Sequence, residues 1–129
     1  MKVIDGTNAV MGRLASYAAK QALLGEEIAI VNCEKVIITG NRQNIIANFK
    51  GKRSKIGSGQ KGPKHSRLPY MIVKRAIRGM LSHRQGRGKD ALRRIMCYEG
   101  LPEKFKDAKK IVSGKEKNTK FIHVEELAK

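Results

Sequence analysis

Three short apolar runs and their spacing set the fold. Lys2–Asp5 ("KVID"), Glu27–Val31 ("EIAIV") and Lys35–Thr39 ("KVIIT") are rich in β-branched residues, and turn-forming residues bound them: Asn32, Cys33 and Glu34 between the second and third, Gly40 and Asn41 after the third. Runs of that length with that punctuation predict strands. Between the first and second, Val10, Met11, Leu14, Ala15, Ala18 and Ala22 recur at helical spacing with Arg13 and Lys20 on the other side, which predicts an amphipathic helix. Gly6, Thr7 and Asn8 supply a turn and an N-cap, and Gly25 sits where a C-cap is wanted. The order strand, helix, strand, strand, followed by the "NRQNIIANF" helix pattern, argues for an α/β protein: a three-layer α/β/α sandwich around a small, mainly parallel sheet. There is no internal repeat. A chain of 129 residues fits one domain, residues 1–129, burying roughly two-thirds of its unfolded surface.

Charge is the functional signal. The formal net charge is +17, where a small domain needs only about 2 to 8 for solubility. Lys50 to Arg94 holds 15 Lys and Arg against the single acid Asp90, a local balance of +14 that leaves +3 for the rest of the chain. Such asymmetry implies a polyanionic partner. With no Trp, three Tyr and three Phe, aromatic stacking on bases is a minor theme.

Within the basic third, "GKRSKIGSGQKGPKHSRLP" (Gly51–Pro69) lacks any acid and interleaves cations with small residues. It predicts an extended, Gly-rich, RNA-contacting loop over about residues 50–69, carrying Lys50, Lys52, Arg53, Lys55, Lys61, Lys64, His65 and Arg67. Small residues let backbone amides approach a phosphate, and the cations attract it whatever the sequence. The plainer alternative is a flexible surface linker.

Two helices follow. Over Tyr70–Leu81, Ile72, Val73, Ala76, Ile77, Met80 and Leu81 form an apolar stripe opposite Lys74, Arg75 and Arg78, and Pro69 suits the first turn. Over Lys89–Tyr98, Ala91, Leu92, Ile95 and Met96 are expected inward, with Arg93 and Arg94 outward. Cations on one amphipathic helix ordinarily mean a solvated face. Solvated helices, however, interleave Glu with Lys for pairing, and these two have almost no carboxylates.

Other chemistry finds no support. "GSGQKGPK" has Pro63 after Gly62 where a phosphate loop needs Lys, and "GTNAVMG" lacks GxGxxG spacing. His65, His83 and His123 form no catalytic or metal-binding pattern; for His65 and His83, set among cations, a hydrogen bond or stack onto RNA stands beside plain exposure as the two readings, while His123 reads as structural. Asp5 and Glu34 read as turn formers rather than catalytic carboxylates. Cys33 and Cys97 show neither zinc nor disulfide spacing and are expected to stay reduced in the cytoplasm. No signal-peptide core or apolar run of about 20 residues is present, so a soluble, non-exported protein is expected. A small RNA-modifying or nucleotide-dependent enzyme would need a phosphate loop or an acid/base pair; a DNA-binding architectural protein would need a groove-reading helix.

"VIDGTNAVMGRLAS" (Val3–Ser16), "IVNCEKVIITGNR" (Ile30–Arg42) and "AIRGMLSHRQGRGKDALRRIMCYEGLP" (Ala76–Pro102) together resemble the three signature blocks of the L-thirteen family, a universal protein of the large ribosomal subunit. The resemblance spans roughly Val3 to Phe105, and "GPKHSRLP" looks like the archaeal and eukaryotic branch. Ser82 stands where many relatives have Pro, the extension of bacterial relatives is missing, and the match weakens from Lys106 onward. The resemblance implies the same α/β/α sandwich, no enzymatic activity and no cofactor. It implies binding to large-subunit ribosomal RNA beside neighbouring ribosomal proteins, stabilising the RNA fold during assembly and afterwards. The matching basic positions are Lys74, Arg75, Arg78, Arg84, Arg87, Lys89, Arg93 and Arg94.

Overall fold

A computed structural model of the chain describes residues 2–55, 66–106, 108, 110–112 and 120–127. Four strands, β1 (Lys2–Asp5), β2 (Ile28–Val31), β4 (Ile95–Cys97) and β5 (Lys110–Val112), form a parallel sheet in the order β4-β2-β1-β5. β3 (Ile37–Thr39) stands apart from it, pairing antiparallel with β6 (Phe121–His123) and bridging in parallel to Val10. The helices are α1 (Met11–Leu23), α2 (Arg42–Ser54), α3 (Pro69–Gly79), α4 (Gly86–Arg93) and the short α5 (Val124–Leu127).

Alternation along the strands decides the layers. Ile4, Ile28, Ile30 and Ile95 point to one face, where they meet Leu14, Ala15 and Ala18 of α1, Val73 and Ile77 of α3 and Ala91 of α4. Val3, Ala29 and Val31 point to the other, covered by Phe105 of a 3-10 turn at Glu103–Phe105, with Tyr98 and Ala108 beside it. The expected three layers are present, the second covering layer much thinner than the first. Val73 and Ile77 are fully buried, each worth about 1.5–3 kcal/mol of apolar transfer.

α1 runs as expected but starts differently. Its N-cap is Val10, without a side-chain cap, because Thr7 is turned back onto Asp5, whose Oδ1 accepts from the Thr7 N–H and hydroxyl and from Asn32 Nδ2. At its end, Gly25 takes φ +98° and donates its N–H to Ala22 O at 3.1 Å, a left-handed turn that favours glycine.

Two boundaries differ from the expectation. The second basic helix was expected over Lys89–Tyr98; α4 spans Gly86–Arg93, and Ile95–Cys97 is instead strand β4. Ile95 and Cys97 are buried while Met96 is 46% exposed, so Met96 does not face inward. The ladder to β2 overrides the helical spacing: Ile95 pairs with Ile28 and Cys97 with Ile30. Likewise, the basic loop does not begin at residue 50. Asn41 caps α2 by accepting from the Gln43 N–H, and the helix continues through Gly51 to Ser54.

Candidate nucleic-acid interface

The cations of the central third reach the surface from four places. Lys50, Lys52 and Arg53 ride the last turns of α2, where positive charge complements the helix dipole, and exposed Lys55 follows them. Exposed Arg67 lies just before α3. On α3, Pro69 occupies the first turn, Lys74 and Arg75 are half-buried and Arg78 is exposed. Arg84, Arg87, Lys89 and Arg93 are all exposed on the α3–α4 turn and α4. Lys61, Lys64 and His65 lie outside the described residues.

Side-chain lining shows which of these come together. Lys50, Arg53 and Arg67 border a hollow of about 300 Å³ beside Phe49, Glu126 and Leu127. Lys52 and Arg75 border an adjoining apolar hollow of about 430 Å³ between α2 and α3. Arg75 also borders a third, of about 170 Å³, with Lys74, Arg78 and Leu92. Arg75 thus joins the α2 cations to the α3 cations. Neither the hollows nor their continuity is visible in the sequence, because their walls come from several elements distant in the chain.

Among the described residues, carboxylates do little to offset this charge. Glu126 is engaged by Arg42 at 2.6 Å and accepts from the His123 N–H. Asp90 meets Arg93 at 3.6 Å on an exposed face, a pair worth a few tenths of a kcal/mol at most.

The α3–α4 turn is tightly built. Ser82 O accepts from the Gln85 N–H at 3.0 Å, and Gln85 O accepts from the Lys89 N–H at 2.9 Å. Gly88 is buried against the same Ser82 carbonyl, so closely that a Cβ there would lie 1.9 Å from the oxygen. The first turn of α4 has no side-chain cap and no acid, while Arg84, Arg87 and Lys89, all exposed, precede or belong to its first residues in the chain. The positive end of the helix dipole and three cations therefore share one place, which favours an anion.

Other singled-out residues sit closer to the fold. Arg94 is half-buried and donates from Nη1 to Ala22 O at 2.9 Å, closing the end of α1. Glu34 accepts from the Gly100 N–H, and Nε2 of His123 lies 3.3 Å from Asn8 Oδ1. His83 is half-buried rather than open, with Nδ1 shielded from solvent. Burial pushes the Asp5 carboxyl up, but its hydrogen bonds from Thr7 and Asn32 and the Lys110 charge outweigh that and hold it below its ordinary value.

Cys33 and Cys97 are buried and unbridged. The hydrogen bond between their side chains, together with burial, pushes the Cys33 thiol up. The same bond holds Cys97 below its ordinary value against burial, helped by the Lys74 ammonium. Among the described residues no group of His, Cys, Asp and Glu is arranged to hold a metal ion, and no helix is long and apolar enough to cross a membrane.

Residues 1–104 match the family model described as Ribosomal protein L13. The chain is 44% identical over its full length to the large ribosomal subunit protein uL13 of Thermoplasma volcanium, covering 96% of that protein. It is 43% identical, again over its full length and 96% of the relative, to the uL13 of Methanocaldococcus jannaschii. Against the uL13 of Methanococcus maripaludis it is 48% identical over 80% of this chain and 77% of the relative. With a family model matched over four-fifths of its residues and relatives aligned along all of it, this chain belongs to the ribosomal protein L13 family.

Proposed function

We propose that this protein is a structural constituent of the large ribosomal subunit that binds large-subunit ribosomal RNA and stabilises its fold during assembly and afterwards. Its family is one of ribosomal proteins, structural components rather than enzymes, which places its work in the cytoplasm. Neighbouring proteins of the subunit are its further partners.

The observation that carries the RNA reading is the first turn of α4. Arg84, Arg87 and Lys89 are exposed and lie, in the chain, at or next to a helix N-terminus that has no acid in its first turn. Without an anion that arrangement repels itself; with a phosphate against it, dipole and cations act in the same direction. Lys74, Arg75 and Arg78 extend the positive surface along α3, and Lys50, Lys52, Arg53, Lys55 and Arg67 extend it to the end of α2. Lys61, Lys64 and His65 join the proposal on charge and chain position alone. Arg94 belongs at its inner margin, with its guanidinium already on Ala22 O. The rigid core fixes where these cations stand, so they can bring crowded RNA helices together.

The test is a salt titration of binding to large-subunit ribosomal RNA, with unrelated structured RNA and duplex DNA as competitors. Neutralising about seven phosphates makes affinity fall roughly a thousandfold or more between 50 and 200 mM salt. Binding that survives the competitors supports a dedicated site. A flat salt response refutes the mechanism.

A further inference from the structure

The apolar hollow between α2 and α3 does not follow from phosphate binding alone. Its floor is Ile38, Ile45, Phe49, Met71 and Ile72, and cations stand at its margin in Lys52 and Arg75. At about 430 Å³ it falls within the roughly 300–1,000 Å³ typical of small-ligand sites.

Phe49 lines this hollow and also the adjoining one that holds Lys50, Arg53 and Arg67. The Arg53 guanidinium stands 6.0 Å from the Phe49 ring centroid, over its face. Arg53 does not line the larger hollow. α2 has no buried residue at all, so Phe49 is not needed to fill the core. Among the described residues the acid at this place is Glu126, which is engaged by Arg42 at 2.6 Å.

We infer that this hollow receives one unpaired nucleotide of the bound RNA, its base stacked on Phe49 and its flanking phosphates on the cations of α2 and α3. The inference rests on the RNA-binding reading and specifies where an RNA base, rather than its backbone, is held. Neither half of the site would suffice for a simpler occupant. A phosphate has no use for an apolar floor, and an apolar side chain has no use for two cations at its margin with three more in the adjoining hollow. A nucleotide presents a flat π-face beside a negative charge and uses both. Stacking of this kind tolerates any base, because every base has a π-face.

The experiment compares the full chain with Phe49→Leu and Phe49→Tyr in the same salt-titrated assay against large-subunit ribosomal RNA, with thermal unfolding to verify the fold. Leu keeps apolar bulk but removes the ring; Tyr keeps the ring. Stacking contributes a salt-independent part of the affinity. Phe49→Leu is therefore expected to weaken binding about five- to a hundredfold at every salt concentration with an unchanged slope, while Phe49→Tyr stays within about twofold of the parent. If Phe49→Leu binds like the parent and the steep slope persists, the nucleotide site is refuted and the RNA-binding reading stands. A parent chain with no salt dependence removes both. Normal RNA binding by Phe49→Leu with poor entry into subunits also overturns the inference, and assigns the hollow to a side chain of a neighbouring protein.

Discussion

Replacing Gly88 by Ala tests the closest approach of backbone to a glycine among the described residues. An alanine Cβ at this position would lie 1.9 Å from Ser82 O, 2.2 Å from its carbonyl carbon and 2.9 Å from its Cα. All three are backbone atoms, so no side chain can swing aside. The gap to the oxygen must open by more than an ångström, from 1.9 Å to beyond 3.0 Å. The carbonyl cannot retreat alone, because it also accepts the Gln85 N–H at 3.0 Å. Forcing a methyl into such a contact costs about 3 kcal/mol; the better helix propensity of alanine returns about 1 kcal/mol. The expected net loss is about 2 kcal/mol, or roughly 6–10 °C in Tm for a chain of this size. Gly86, two residues earlier in α4, is the internal control: a Cβ there meets nothing within 4 Å, so Gly86→Ala is expected to be neutral or stabilising by up to about 1 kcal/mol. Urea and thermal unfolding of both variants decide the matter. Equal stabilities for Gly88→Ala and the parent would refute the close packing of α4 on the turn that carries Arg84 and Arg87.

Charge reversal at Arg78 and Arg93, both exposed, should leave the unfolding free energy within about 0.5 kcal/mol of the parent while reducing incorporation into large subunits; normal incorporation would put the RNA face elsewhere. Acid unfolding should carry the mark of Asp5. Because its folded carboxyl titrates below the ordinary 3.8, the carboxylate contributes stability that is fully present above about pH 4 and is lost as pH falls through the lower folded value. Asp5→Asn is therefore expected to cost about 1 kcal/mol at pH 7 and to converge with the parent as pH falls through the lowered folded value; a constant difference at all pH values would contradict the assigned hydrogen bonds.

The elements that could be read from the chain are those whose burial follows a single period. α1 and α3 bury one continuous stripe each, and Pro69 marks the start of α3. β1 and β2 are short apolar runs between turn residues. β4 was hidden because three residues are too few to show a period, and Ala91, Leu92, Ile95 and Met96 also satisfy helical spacing. Only its partner, β2, distinguishes the two. The charge asymmetry located the candidate interface, yet charge alone could not separate Arg94 from Arg93. One donates to the end of α1 and the other stands exposed beside Asp90. The hollow at Phe49 left no linear trace, since its walls come from α1, β3, α2, α3 and α5.

The sheet order has a consequence for how the protein is made. β1 lies between β2 and β5, so the first strand synthesised is an interior strand whose two partners arrive at very different times. β2 is complete by Val31, whereas β5 begins only at Lys110, 105 residues after Asp5. At about 5–20 residues per second, the open side of β1 waits roughly 5–20 s on a translating ribosome. An unpaired edge is a template for joining another chain. The basic third, complete at Arg94, is made before that edge closes, so nascent chains already repel one another through a local charge of +14. The charge proposed to draw this protein to RNA thus also keeps its unfinished copies apart.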